Sequence, residues 1–238
     1  MDESQLKKAL ATAARFRKLQ VTAGLFRFSV AQFLVALILL LAVYPFLVEL
    51  EHGDTIETIL MTVVLISAVL AVSGRTWGLS IGLVLPALAA AWIDRYGSGL
   101  VPPWIVACAR MVFVGFVVIQ LLRFIVQAKS VNSEVLCAGI AGYVVMGLFW
   151  STAYLLISQL NPGAFLGQRL EGANHSLGRF DALYLSFTSL TCLGSNDIIP
   201  ISKVARMLMV LESLAGVLYL AVLIARLVAM YSRPTEKE

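Results

Sequence analysis

Residues 180–200 read FDALYLSFTSLTCLGSNDIIP and differ in pattern from the rest of the chain. They open with a short apolar run, Phe180 to Thr188, which is too short to cross a bilayer, and continue as a loop up to Pro200. Long apolar runs at residues 135–159 and 204–231 flank them. Because non-helical backbone is not tolerated against lipid at membrane depth, we expect a re-entrant helix followed by a loop that lies inside protein or lines water.

The composition is that of an integral membrane protein. Of the 238 residues, 60% are apolar and only 13% are charged, against about 25% charged in an average soluble domain. This composition excludes soluble enzymes, nucleic-acid-binding modules and disordered tails. We therefore expect the protein to lie in a lipid bilayer and to bind no nucleic acid. The three cysteines, Cys108, Cys137 and Cys192, all lie in apolar stretches and imply no disulfide framework.

Apolar runs of roughly the length that a helix needs to cross the hydrocarbon core occur six times. They lie at residues 28–50, 56–73, 76–93, 104–127, 135–159 and 204–231. We therefore predict an all-α polytopic membrane protein with six transmembrane helices. The re-entrant helix and its loop lie between the fifth and the sixth.

Basic residues predict the orientation of the chain in the membrane. Six of them lie within residues 1–27, at Lys7, Lys8, Arg15, Arg17, Lys18 and Arg27. Placing this segment inside puts most other basic residues on the same side and most acidic loop residues outside. We therefore predict a multi-pass protein of the plasma membrane, of bacterial inner-membrane type, with both termini cytoplasmic. Residues 1–27 form a basic segment that lies along the membrane surface or extends as a solvated arm, and residues 232–238 form a short tail.

The loop resembles the selectivity filter of the potassium-channel superfamily, which reads T-x-G-Y-G-D after a pore helix rich in serine and threonine. Residues Cys192 to Asp197, CLGSND, stand at the corresponding positions after Thr191. Residues 205–228 resemble the inner helix of bacterial two-helix-pore channels, with Gly216 where that family often has a hinge glycine. The resemblance covers residues 180–228, about a fifth of the chain.

The resemblance implies a homotetramer with four loops around one axis, whose backbone carbonyl oxygens replace the hydration shell of a cation. The implied filter consists of Thr191, Cys192, Leu193, Gly194, Ser195, Asn196 and Asp197. The implied K⁺ sites lie at Cys192, Leu193, Gly194 and Ser195. Apart from permeant K⁺ or other monovalent cations, no cofactor is implied.

Three filter positions depart from the family pattern. Ser195 replaces the tyrosine whose ring packs the filter against its pore helix, and Asn196 replaces a glycine. Cys192 replaces the threonine whose hydroxyl lines the innermost ion site, and a thiol is a poorer ligand for a hard cation. Gly194 keeps the residue that reaches positive φ without penalty. We therefore expect a cation pore that discriminates K⁺ from Na⁺ more weakly than its relatives.

Glu212 is a carboxyl group within the last apolar run, and an intramembrane carboxyl group is a functional candidate. Two arrangements are open. In one, four copies face a central cavity and concentrate cations. In the other, Glu212 lies behind the filter and accepts hydrogen bonds from pore-helix hydroxyls such as Ser186 or Ser189. Gly216, four residues further on, is the candidate gating hinge.

The four helices predicted within residues 28–130 do not form a functional voltage sensor. A sensor needs several arginines spaced every third residue, because each elementary charge contributes about 2.3 kcal/mol per 100 mV. The fourth run carries only Arg110 and Arg123, which are thirteen positions apart. We therefore expect only weak dependence on voltage.

These observations predict a pore-forming subunit for passive K⁺ or less selective monovalent cation transport, with residues 134–231 as the pore domain. The alternative is a membrane protein that uses the channel fold for assembly or regulation and does not conduct. An enzyme is not expected, because the predicted spans contain no Ser/His/Asp set, no paired carboxylates and no His/Cys metal cluster.

Overall fold

The computed structural model describes residues 30–46, 53–72, 85–86, 88–89, 92, 102–128, 132–167, 177–194 and 197–231. This part of the chain is mostly helical. Ser195 and Asn196 of the predicted filter lie outside the described residues. So do the predicted terminal segments, residues 1–27 and 232–238, and most of the third predicted run, residues 76–93.

The described helices follow the apolar runs of the sequence. They are α1 (Val30–Phe46), α2 (Gly53–Val72), α3 (Pro103–Gln127), α4 (Ser133–Leu160), α5 (Arg179–Leu190) and α6 (Lys203–Tyr231). Among the described residues, three helical segments are long and apolar enough to cross a membrane: Trp104–Gln127, Ser133–Leu160 and Lys203–Ala229. They coincide with the fourth, fifth and sixth predicted runs, and the count of six spans stays a prediction.

A continuous apolar core joins α1, α3 and α4. Its buried side chains include Phe33, Leu37 and Leu40 of α1, Phe113, Val117 and Leu121 of α3, and Val135, Ala138 and Val145 of α4. Small residues let the helices approach closely. Gly115 of α3, for example, lies against the ring of Phe149 of α4. These three helices therefore pack together, and α5 and α6 both contact α4.

A short antiparallel ribbon ties together the two ends of the connection between α4 and α6. Strand β1 (Phe165–Gly167) pairs with β2 (Ile198–Pro200), with Leu166 opposite Ile199. The carbonyl oxygen of Ala164 also accepts the backbone N–H of Ile201 at 2.8 Å. The chain that leaves α4 is thus bonded to the chain that enters α6, and the intervening segment must double back.

Helix α5 occupies this doubled-back segment. It begins after Gly178, and Asp181 lies in its first turn, where a negative charge favours the helix N-terminus. Its 12 residues span about 18 Å, well short of the roughly 30 Å hydrocarbon core. One face is buried against α4 and α6 through Ala182, Leu185, Ser186, Ser189 and Leu190. This length suits a helix that enters a membrane without crossing it.

Ser202 caps α6, and this cap gives a first test of the fold. Its hydroxyl oxygen accepts the backbone N–H of Ala205 at 3.1 Å. Ser202→Ala should lower the free energy of unfolding by about 1 kcal/mol, because that N–H loses its partner. Thermal unfolding of the purified protein in detergent measures the change. Ser202→Asp, which keeps an acceptor, should remain near the wild type, and an equal loss in both variants would contradict the cap.

Candidate functional site

The C-terminal end of α5 turns directly into the predicted filter. The N–H of Cys192 donates to the carbonyl oxygen of Ser189 at 3.0 Å, and that of Leu193 donates to Thr188 at 2.9 Å. With Cys192 in the left-handed region at φ +58°, this pair of bonds is a Schellman motif. Thr191 and Cys192, the first two residues of the predicted filter, therefore also end the helix.

The sign of φ alternates along the described part of the loop. It is −88° at Thr191, +58° at Cys192 and +76° at Gly194, while Leu193 does not have a positive φ. The sequence predicted positive φ at Gly194 but gave no signal at Cys192, because a side chain with a Cβ rarely adopts it. The helix-ending turn explains the conformation of Cys192, since this motif requires a left-handed residue at that position.

The loop lies on the surface of the single chain. Leu193 is 81% exposed, and Thr191, Cys192, Gly194 and Asp197 are exposed as well. The helix that leads into the loop is, in contrast, buried along one face. The loop is thus firmly attached at its base and uncovered beyond it.

A single buried carboxyl group connects the three helices behind the loop. Glu212 of α6 has no exposed surface. One carboxyl oxygen lies 2.5 Å from the hydroxyl of Ser186 of α5, and the other is hydrogen-bonded to the hydroxyl of Tyr154 of α4. Of the two hydroxyl groups predicted as partners of Glu212, Ser186 is bonded to it, while Ser189 donates to the carbonyl oxygen of Leu185 at 2.7 Å.

Further hydroxyl groups hold the end of α5 through its backbone. Ser213 of α6 donates to the carbonyl oxygen of Ser189 at 2.9 Å, and Tyr143 of α4 donates to that of Leu190 at 3.1 Å. The sequence did not predict roles for Tyr143, Tyr154 and Ser213. A tyrosine within an apolar helix does signal that its hydroxyl needs a partner, but it does not identify that partner.

Gly216 lies where α6 approaches the end of α5 most closely. A Cβ atom at this position would collide with the carbonyl oxygen of Leu190 and lie 3.1 Å from a methyl group of the same residue. Gly216 itself is buried. Absence of a side chain is therefore required for packing, whatever the residue does as a hinge.

Gly216→Ala should destabilise the protein by about 1–3 kcal/mol, because the added methyl group forces α6 away from the backbone of Leu190. Thermal unfolding of the purified variant measures the loss. Gly115→Ala is the matched control, since its Cβ would lie 3.3 Å from the edge of the Phe149 ring, which can shift. Similar losses in the two variants would contradict a specific close approach at Gly216.

Comparisons with known proteins agree with this geometry. Residues 135–233 match a family model described as an ion channel. A stretch of 97 residues is 31% identical to the inward rectifier potassium channel Kirbac3.1 of Paramagnetospirillum magnetotacticum. That stretch is 39% of this chain and 28% of the relative, so the chain spans less than a third of its length. No solved structure matches significantly. Residues 135–233 are therefore similar to ion channel domains, and the relative found is a potassium channel.

Proposed function

We propose that the chain is the pore-forming subunit of a tetrameric channel that passes monovalent cations, K⁺ among them, down their electrochemical gradient. The conduction path is the loop from Thr191 to Asp197. The observation that supports this most is an exposed loop of alternating φ at the end of a short helix held between α4 and α6. The channel domain and its distant potassium-channel relative point to the same class.

The exposure of the loop and of α6 favours assembly into a ring. Backbone polar groups at membrane depth need partners or water, and one chain cannot surround an ion. Within the single chain, only 11% of the most apolar stretch of α6 is buried, whereas 50% of the corresponding stretch of α4 is buried. Four copies with their loops at the axis would cover part of α6 and direct loop carbonyl oxygens at one ion path.

The electrostatics of the loop favour a cation. The C-terminal end of a helix carries a partial negative charge of about half an elementary charge, and the loop begins at that end of α5. Asp197 is exposed on the far side of the loop, where its charge raises the local concentration of cations.

We also propose roles for the other parts of the chain. Residues 134–231 form the pore domain, and residues 28–130 form four helices that do not sense voltage. Six spans lie in a plasma membrane with both termini in the cytoplasm. Glu212, Ser186 and Ser189 support the filter from behind, and Gly216 is the gating hinge as well as a packing residue.

Cys192 offers a direct test, because its thiol is exposed in the loop whereas Cys108 and Cys137 are half-buried. In liposomes that hold the full chain and a K⁺ gradient, Ag⁺ should abolish flux, since a soft cation bound by thiolates obstructs the path. Cys192→Thr should conduct and resist Ag⁺. Cys108→Ser, the matched control, should remain sensitive.

Two outcomes would contradict this path. Block by Ag⁺ that persists in Cys192→Thr would show that ions pass elsewhere, and a cross-linking ladder that ends at two subunits would exclude the tetramer. Intact tetramers without any flux would instead favour a protein that uses the channel fold for assembly and does not conduct.

The ion selectivity of the proposed filter depends on Ser195 and Asn196, which lie outside the described residues. We expect weak discrimination between K⁺ and Na⁺, since Ser195 lacks a bracing ring and Asn196 replaces a glycine at a position that needs positive φ. The double change Ser195→Tyr with Asn196→Gly should sharpen it. Under bi-ionic K⁺/Na⁺ conditions, a tenfold gain moves the reversal potential by about 59 mV, the factor for one elementary charge.

The control for this prediction is Ser195→Thr, which adds a methyl group but no ring and should leave the reversal potential in place. A wild-type protein that already selects strongly for K⁺ would overturn the idea. It would mean that Ser195 and Asn196 hold their carbonyl groups through other contacts.

A further inference from the structure

Within the part of the chain that the structure describes, the buried carboxyl group of Glu212 has no cationic partner. It has no exposed surface, and no lysine, arginine or histidine acts on it among the residues that the structure describes. Tyr154 of α4 is hydrogen-bonded to it, and Tyr143 of α4 lies within electrostatic range of both Glu212 and Cys192. From α5 it is met by the hydroxyl of Ser186. A buried carboxylate without a counter-ion is unfavourable by several kcal/mol, and such a group takes up a proton instead.

The hydrogen bonds around Glu212 also require a protonated carboxyl group. Three close oxygen–oxygen contacts form a chain: Tyr154 with Glu212, Glu212 with Ser186 at 2.5 Å, and Ser186 with the carbonyl oxygen of Gly147 at 2.7 Å. Each contact needs one proton, and the carbonyl group only accepts. The two hydroxyl groups supply two protons. A carboxylate would leave one contact without a proton, whereas a carboxylic acid supplies the third.

We propose that Glu212 is a neutral carboxylic acid that positions α5. In this state Tyr154 donates to one carboxyl oxygen, the other carboxyl oxygen donates to Ser186, and Ser186 donates to Gly147. The chain of bonds runs from α4 through α6 and α5 back to α4. Without this proton, the hydroxyl oxygen of Ser186 and a carboxylate oxygen of Glu212 face each other as two acceptors. Ser186 lies one turn before the residues that begin the loop. The effect on conduction rests on the proposed function, while the protonation state does not.

Infrared spectroscopy of the full chain in liposomes tests the acid without any need for flux. The wild type should show the carbonyl band of a protonated carboxylic acid at neutral pH, and Glu212→Gln should lack it. Tyr154→Phe should move the band to higher frequency, because the acid carbonyl loses its donor. Glu134→Gln, which removes another carboxyl group of the described chain, should retain the band. A wild-type spectrum without this band would overturn the proposal.

The dependence of K⁺ flux on pH tests the positioning role. The functional state holds the proton, so flux should be lost as the pH rises, while the acid band disappears in step. Glu212→Gln should keep neutral-pH flux and a flat profile, because its amide nitrogen donates to Ser186 and its oxygen accepts from Tyr154. Failure of this variant to assemble, or equal profiles in both proteins, would overturn the role. A wild type with the band but no flux would count against the channel and leave the acid in place.

Discussion

The hydrogen-bonded junction at Glu212 fixes how α4, α5 and α6 pack against one another. One carboxyl group of α6 meets a hydroxyl from α4 and another from α5, with no path to solvent. Polar groups buried this way are favourable only when all of them are paired, so the junction selects one register for three helices at once. A rotation of α5 by one residue would remove Ser186 from the carboxyl group and leave one carboxyl oxygen without its partner.

This junction acts together with the ribbon at the opposite end of the segment. The pairing of β1 with β2 brings the start and the end of the connection side by side, and the junction holds the helix between them. The loop thus has a fixed base at the C-terminal end of α5 and a second fixed point at β2, which begins directly after Asp197.

Much of this arrangement was predictable from local pattern. The short apolar run predicted a helix at residues 180–188, and α5 covers Arg179–Leu190; the long apolar runs predicted α3, α4 and α6. The ribbon was not predictable, because strands of three residues carry no periodic signal and pair across a distance in sequence. Tyr154 was missed for a similar reason, since its partner Glu212 lies 58 positions away. The left-handed Cys192 follows from a helix end that propensities alone do not locate.

The unusual residues of the loop, Ser195 and Asn196, follow the residues that hold its base. The described contacts that hold the base of the loop involve Ser186, Ser189, Leu190 and the turn through Gly194, and all of these residues precede Ser195. In the family that the loop resembles, a tyrosine stands where this chain has Ser195. We therefore expect this replacement to leave the base of the loop supported. On the proposed function, we expect substitutions at Ser195 and Asn196 to alter which ions are preferred, and substitutions at Glu212 or Gly216 to alter whether the loop is held in place.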